Sequence, residues 1–246
     1  MEHKKSFYTF ALIILNFITL SCGDENLSTQ YPPSPVNIPN AIIFNPELKY
    51  DTVSDIDGNI YKTIAIGKHT WMAENLRVTR FLNGDKIPHI PSKKDWARDF
   101  NNIYSTSVLG LCVYDNNNNK DSIARYGLLY SLSVMDDERG IAPVGWHIAN
   151  SSEWFELNYS FGVYSPYIEN TGFTPLCAGN RDPDGSYSGR GESEMWVASG
   201  FDYRFMYFKK ASGYNPNILT NMLASGMLWR IGNGMFYGYP IRCVKD

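Results

Sequence analysis

The sequence has few of the residue groups that catalytic and nucleic-acid-binding proteins use. Its 22 basic residues are outnumbered by 25 acidic residues, and the net charge of −3 argues against a nucleic-acid partner. The histidines are His3, His69, His89 and His147, without the spacing of a metal-binding pair. No Ser-His-Asp set stands out. We therefore expect no catalysis, and we interpret His147 as a hydrogen-bonded structural residue.

Long apolar runs are also missing. The longest extends from Phe7 to Leu20, 14 residues, which is too short to span a membrane. Two lysines before it and Ser21-Cys22 after it are typical of an export signal, residues 1–21. Leu20-Ser21-Cys22 resembles a lipobox, in which Cys22 is acylated and begins the mature chain; simple secretion is the alternative. Acidic residues follow Cys22, as in the surface-export signals of bacterial lipoproteins. We therefore expect a lipid anchor in the outer membrane, at the cell surface.

Residues 22–50 differ in composition from the rest of the chain. They contain Pro32, Pro33, Pro35 and Pro39 among Ser, Thr and Asn, which favours an extended tether over a packed core. Residues 51–246 are expected to form one domain, because a chain that is 43% hydrophobic and 15% aromatic can bury a single good core. Its many Tyr and Gly residues favour short strands and turns.

The clearest local signal is a helix start. Asn150 and Glu153 have the spacing of a capping box, which predicts a helix from about Ser151. Pro143 and Gly145 predict a turn just before it. The apolar side of the helix is expected to contain Trp154, Phe155 and Leu157, packed on the same core as Trp146.

Other elements follow from similar patterns. Asp57-Gly58 predicts the turn of a hairpin from Thr52 to Met72. Ser92 is a candidate cap for a helix from Lys93 to Phe100. Further predictions are a helix from Tyr126 to Met135, a mobile surface loop with left-handed residues from Asp115 to Asp121, and strands over Met227 to Ile231 and Met235 to Val244.

Several segments together resemble the Fibrobacter succinogenes major paralogous domain, a family of bacterial surface and secreted modules. The matching segments are 55–63 (D-x-D-G-N-x-Y-x-T), 71–76 (W-M-A-E-N-L), 126–130 (Y-G-x-L-Y), 145–154 (G-W-H, then E-W) and 242–244 (R-C-V). The resemblance spans roughly Val53 to Asp246. It implies an α+β fold similar to C-type lectin-like domains and formylglycine-generating-enzyme cores, with short strands, two or three short helices and long loops. It also implies that the closing strand, Ile241 to Val244, pairs near the opening hairpin.

One segment is a candidate cation site. Asn180, Asp182 and Asp184, followed by Gly185, have the spacing that begins a calcium loop. Gly191 stands where the bidentate Glu of such a loop belongs, and the family shares a similar R-D-x-D-G segment, so a family-specific turn is the alternative. Calcium at these three residues is the one cofactor hypothesis that the sequence raises.

The cysteines leave two interpretations open. After Cys22, three remain, Cys112, Cys177 and Cys243. Many members of the similar family have a cysteine where this chain has Ala142, so the resemblance leaves Cys112 as the partner for Cys243. Alternatively, Cys112 is a buried thiol on its own strand. Cys243 has no neighbouring cysteine, which is unlike the paired thiols of formylglycine-generating enzymes.

Together, these observations favour a surface-anchored module that binds a glycan or a protein through aromatic-rich loops. Two alternatives remain. One is an enzyme of the formylglycine-generating-like branch, which needs paired thiols or a metal cluster in a pocket. The other is a structural component of the cell envelope.

Overall fold

The computed structural model describes residues 44–97, 107–161, 172–173, 176, 178–189, 192–198, 204–209 and 236–246. The helices are α1 (Lys93–Trp96), α2 (Lys120–Tyr126), α3 (Leu132–Met135) and α4 (Ser151–Phe161). The strands are β1 (Asp51–Ser54), β2 (Ile60–Ile66), β3 (His69–Met72), β4 (Leu111–Cys112), β5 (Leu129–Ser131), β6 (Trp146–Ile148), β7 (Asn180–Arg181), β8 (Tyr187–Ser188), β9 (Glu192–Val197), β10 (Arg204–Lys209), β11 (Gly238–Tyr239) and β12 (Cys243–Lys245). The fold is α+β and consists mostly of strands. The predicted export signal, Cys22, Cys177 and the predicted strand from Met227 to Ile231 lie outside the described residues.

The first sheet joins the two ends of the domain. Its strand order is β1-β2-β3-β12-β6, and neighbouring strands are antiparallel. Strand β12 lies between β3 and β6, so that Val244 is opposite Trp71 on one side and His147 on the other. This confirms that the closing strand pairs beside the opening hairpin.

This sheet separates two hydrophobic cores. Successive side chains of a strand point to opposite faces. Trp71 and Val244 therefore pack in one core with Trp154 of α4, whereas Trp146 packs against the other core, which contains Cys243. The prediction that Trp146 and Trp154 share one core was wrong, because they lie on opposite faces of the same sheet.

Helix α4 begins as the capping box predicts. The side-chain oxygen of Asn150 accepts from the backbone nitrogens of Ser152 (2.9 Å) and Glu153 (3.2 Å). In return, a Glu153 oxygen accepts from the backbone nitrogen of Asn150 at 2.8 Å. Trp154 and Leu157 are buried as expected, but Phe155 is 48% exposed. Its assignment to the apolar side was therefore wrong, since Phe155 directly follows Trp154 and so lies about 100° around the helix from it.

The opening hairpin is also confirmed, and its turn is held by a buried carboxylate. Strands β1 and β2 pair antiparallel across the segment 55–59, with Gly58 at φ +81°. Asp55 accepts hydrogen bonds from the backbone nitrogens of Asp57 and Asn59 and from the hydroxyl of Tyr61. The D-x-D-G-N-x-Y segment therefore forms a tight turn.

The predicted helix from Tyr126 to Met135 was wrong over residues 127–131, and only its end, Leu132–Met135, is helical, as α3. Helix α2 ends at Tyr126, because Gly127 takes φ +74° and lies so close to Leu76 that a Cβ atom would be 2.6 Å from the Leu76 carbonyl oxygen. Residues Leu129–Ser131 then form β5, which belongs to a sheet with the order β4-β5-β11-β7-β8. We call this the second sheet. All three residues of β5 are buried. A strand covered on both faces carries a continuous apolar run, which imitates a helical stripe in sequence.

The segments on either side of β4 also differ from expectation in their lengths. Helix α1 has the predicted cap, since Ser92 Oγ accepts from the backbone nitrogen of Asp95 at 3.2 Å, but it already ends at Trp96. The Asn-rich segment contains the expected left-handed residues, Asp115 (φ 54°) and Asn116 (φ 51°). It then starts helix α2 at Lys120, capped by Asn119, where the sequence analysis expected only a loop.

Candidate functional site

The family-like motifs meet in a buried polar network. Arg242 is fully buried, and its guanidinium donates to the side-chain oxygen of Asn75 (2.7 Å) and to the carbonyl of Met72 (3.0 Å). Asn75 in turn donates to the carbonyls of Tyr126 (2.9 Å) and Leu176 (3.2 Å). Burial lowers the pKa of Arg242 to about 9. The W-M-A-E-N-L, Y-G-x-L-Y and R-C-V segments are therefore joined by hydrogen bonds that organise the core.

A small pocket lies next to this network, where the Asn-rich segment returns to the second sheet. It has a volume of about 40 Å³, which is enough for a few water molecules. Its walls include Tyr114, Asp115, Asn117, Ser122, Tyr126 and Ala178. Two tyrosines thus share a pocket with an aspartate, an asparagine and a serine. This grouping was not predicted from the sequence, although two tyrosines flanking an Asn-rich run were a usable signal.

The polar groups of the pocket are held in place by the backbone around them. Asp115 and Asn116 both have left-handed φ values, a conformation that non-glycine residues adopt infrequently and that often occurs at functional sites. The Asn117 side-chain oxygen accepts from the backbone nitrogen of Asn119 at 3.1 Å. The Asn119 side chain caps α2 and binds the backbone nitrogen of Ser122 at 3.1 Å. The pocket is therefore built on a capped helix start.

The tyrosine side of the pocket rests on buried groups. The ring of Tyr114 lies 5.3 Å from that of Tyr187, whose hydroxyl donates to the Asn116 side chain at 2.8 Å. Behind Tyr187, the guanidinium carbon of the buried Arg181 lies 4.0 Å from the ring centre. A cation placed over an aromatic face attracts the ring electrostatically. The pocket therefore has a firmly supported aromatic wall.

The candidate calcium residues occupy the β7–β8 hairpin, and its own donors bind their oxygens. Asp182 Oδ1 accepts from Asn180 Nδ2 (2.7 Å) and from Ser188 Oγ (2.9 Å). Asp184 accepts from Ser186 and forms an ion pair with Lys93 at 3.1 Å. The hydrogen bonds from Ser186 and the ion pair with Lys93 lower the pKa of Asp184 to about 2. These contacts explain why the segment forms a tight turn. Calcium binding there stays a prediction.

His147 is hydrogen-bonded, as the sequence analysis expected. Its Nδ1 lies 2.6 Å from Asp246 Oδ1, and its Nε2 lies 2.7 Å from Glu153 Oε1. Glu153 is the same residue that closes the capping box of α4. His69, which is distant in sequence, also lies near Glu153, with Nδ1 4.0 Å from Oε1.

Of the two interpretations left open for Cys112, the structure supports a buried thiol on its own strand rather than a bridge to Cys243. Both thiols are free and buried in the described structure. Cys112 lies on β4 of the second sheet and Cys243 on β12 of the first, so they belong to different sheets. Burial raises the pKa of the Cys112 thiol to about 12 and that of Cys243 well above its usual range. Neither thiol is therefore an effective nucleophile near neutral pH.

Among the described residues, no three His, Cys, Asp or Glu side chains are grouped so as to hold a metal ion. None of the described helices is long and apolar enough to cross a membrane.

A comparison with known families finds one match. The family model for the Fibrobacter succinogenes major domain matches residues 64–169. This range includes the W-M-A-E-N-L, Y-G-x-L-Y and G-W-H segments, the pocket residues from Tyr114 to Tyr126 and helix α4. No curated protein and no solved structure matches the chain.

Proposed function

We propose that this chain, in which residues 64–169 match the model of the Fibrobacter succinogenes major domain family, is a lipid-anchored surface module that binds a glycan without catalysing a reaction. The glycan contacts the pocket between Tyr114 and Tyr126. The fold that we propose for the whole domain is C-type lectin-like, an interpretation supported by the closing strand β12 between β3 and β6.

The composition of the pocket carries the proposal. Sugars present apolar C–H faces and hydroxyl edges, so they bind where aromatic rings lie beside fixed polar groups. Tyr114 and Tyr126 supply the rings, and Asp115, Asn117 and Ser122 supply donors and acceptors. A volume of about 40 Å³ is too small for a whole sugar ring. We therefore expect one hydroxyl or hydroxymethyl group to enter, while the ring lies across a tyrosine.

The anchor and the location are part of the proposal. Ser21-Cys22 after an apolar run supports acylation of Cys22, and the Pro-rich residues that follow support a tether between lipid and domain. In this arrangement the domain faces outward from the outer membrane, where glycans and surface proteins are within reach. Mass spectrometry of the N-terminal peptide tests the anchor directly.

The binding function has more support than the enzymatic alternative. Chemistry of the formylglycine-generating type needs two thiols in one pocket. In the described part of the chain, Cys112 and Cys243 are free, buried and on different sheets. By contrast, the tyrosine pocket has the groups that a binding module needs.

A glycan array tests the proposal. The purified full chain in mild detergent is applied to the array with calcium and with a chelator, followed by the variant Tyr126→Ala. We expect binding to one glycan class and an affinity at least about tenfold lower in the variant, which corresponds to about 1.4 kcal/mol. The matched control is Phe155→Ala, because Phe155 is an exposed aromatic residue on α4 and does not line the pocket.

Three results decide between the alternatives. Binding that Phe155→Ala weakens as much as Tyr126→Ala would place the ligand elsewhere. The absence of any glycan signal from a folded chain would sink the glycan proposal. Binding that is lost in the chelator would favour calcium at Asn180, Asp182 and Asp184.

A further inference from the structure

A row of ionisable side chains links four parts of the fold on the α4 face of the first sheet. Asp246 follows β12, His147 lies on β6, Glu153 and Glu156 lie on α4, and His69 begins β3. His69 Nε2 is 2.9 Å from Glu156 Oε2, and Lys68 Nζ is 2.9 Å from the other oxygen of Glu156. These residues are far apart in sequence, and the sheet brings them together.

His147 lies at the centre of this row of side chains, with a carboxylate at each ring nitrogen. Asp246 Oδ1 is 2.6 Å from Nδ1 and Glu153 Oε1 is 2.7 Å from Nε2. A neutral imidazole has one N–H donor and one acceptor nitrogen, whereas an ionised carboxylate can only accept. Both contacts are therefore hydrogen bonds only when His147 carries protons on both nitrogens.

We propose that His147 is a proton-operated clasp, which fastens Asp246 and the edge strand β6 to helix α4 while both ring nitrogens are protonated. Loss of one proton turns one hydrogen bond into a repulsion between two acceptors. Because the Glu153 side chain is largely buried and its other oxygen binds the Asn150 backbone, the more exposed Asp246 is released first. The clasp is thus closed while His147 is doubly protonated and its two carboxylates are ionised, and it opens as the pH rises through the pKa of His147.

The surrounding charges give the direction of the effect. Burial by itself would lower the pKa of His147, but the hydrogen bonds to Asp246 and Glu153 outweigh it, and the pKa is raised. The remaining charged groups of this row are Glu156 on α4, His69 at the start of β3 and Lys68, which directly precedes β3. Lys245 on β12 is opposite Trp146, and its side chain points to the other face of the sheet.

The raised pKa of His147 determines the pH range in which this residue stabilises the fold. The stabilisation from His147 is fully present below about pH 6.5, the pKa of a histidine in an unfolded chain, and it is lost as the pH rises through the higher pKa of the folded protein. A positive charge on His69, whose Nδ1 lies 4.0 Å from the shared Glu153 oxygen, would oppose the charge on His147. Acidification far enough to protonate the carboxylates would also open the clasp.

Histidine-selective NMR of the full chain in detergent, with a chelator present, tests the clasp. His147→Gln identifies the His147 ring signal. We expect its titration midpoint to lie above about pH 6.5 and the backbone amide of Asp246 to titrate with the same midpoint. In Asp246→Asn the ring midpoint is expected to fall by at least about half a pH unit. The control is Asp51→Asn, which removes an exposed carboxylate at the opposite edge of the sheet.

Thermal melting provides a second measurement. The wild-type chain is expected to melt at a higher temperature than Asp246→Asn at pH 6, and the two are expected to melt together above the His147 midpoint. A His147 midpoint at or below that of an unfolded histidine overturns the proposal. So does an equal fall of the midpoint in Asp51→Asn, since a general effect of net charge would then explain it.

Discussion

The first sheet and the tyrosine pocket use their polar residues in opposite ways. Around the first sheet, polar side chains of the recognisable motifs are buried and bonded to one another or to the backbone, as with Arg242, Asn75 and Asp55. Around the pocket, Asp115 and Asn117 belong to no such motif and lie on an exposed segment.

The contrast shows what the family motifs encode. A buried polar group without a partner costs free energy, so residues that supply such partners are tied to the fold itself. Exposed residues on a supported segment can change without loss of the fold, and binding sites are often built from them. We infer that the motifs identify the domain, whereas the choice of ligand depends on the residues between them.

The largest expected effect is at the centre of the motif network. Arg242→Met removes the guanidinium that donates to the Asn75 side chain and to the Met72 carbonyl. We expect the free energy of unfolding to fall by about 2–6 kcal/mol, because two buried acceptors each lose their donor at a cost of about 1–3 kcal/mol. Urea unfolding measures this.

The matched control is Arg80→Met, because Arg80 pairs with Asp57 but its side chain is 46% exposed. Its effect is expected to stay below about 1 kcal/mol. Equal losses in the two variants would contradict the view that burial gives the motif network its importance.

A smaller effect is expected at the start of α4. Asn150→Ala removes the acceptor for two backbone N–H groups and should lower the free energy of unfolding by about 0.5–2 kcal/mol. Glycan binding at the pocket should be unchanged, because Asn150 does not line it. An unchanged melting curve, or selective loss of binding, would count against a purely structural role.

The smallest effect on stability, and the sharpest test of the comparison, is expected in the pocket. Asn117→Ala removes an exposed side chain and should change the free energy of unfolding by no more than about 0.5 kcal/mol. Glycan affinity should nevertheless fall, because Asn117 lines the pocket. If Asn117→Ala destabilises the fold as much as Asn150→Ala, the division between folding residues and binding residues does not hold.

Sequence-based prediction succeeded where neighbouring residues form the structure. The Asp57-Gly58 turn, the Ser92 cap and the Asn150–Glu153 capping box each depend on contacts within five residues, and all three were confirmed. It failed for Leu129–Ser131, where burial on both faces of a strand imitates a helix. It left the state of Cys112 and Cys243 open, since only the strand order places the two thiols in different sheets.

The sequence by itself indicated the family resemblance, the α+β class and the local turns and caps, because these depend on residue types at short, fixed spacings. The tertiary structure alone decided which distant side chains meet: Arg242 with Asn75, the two tyrosines around the pocket, and His69 and His147 at one glutamate. The reason is physical. Strand order and face alternation bring distant residues together, and neither is written in the spacing of any single segment.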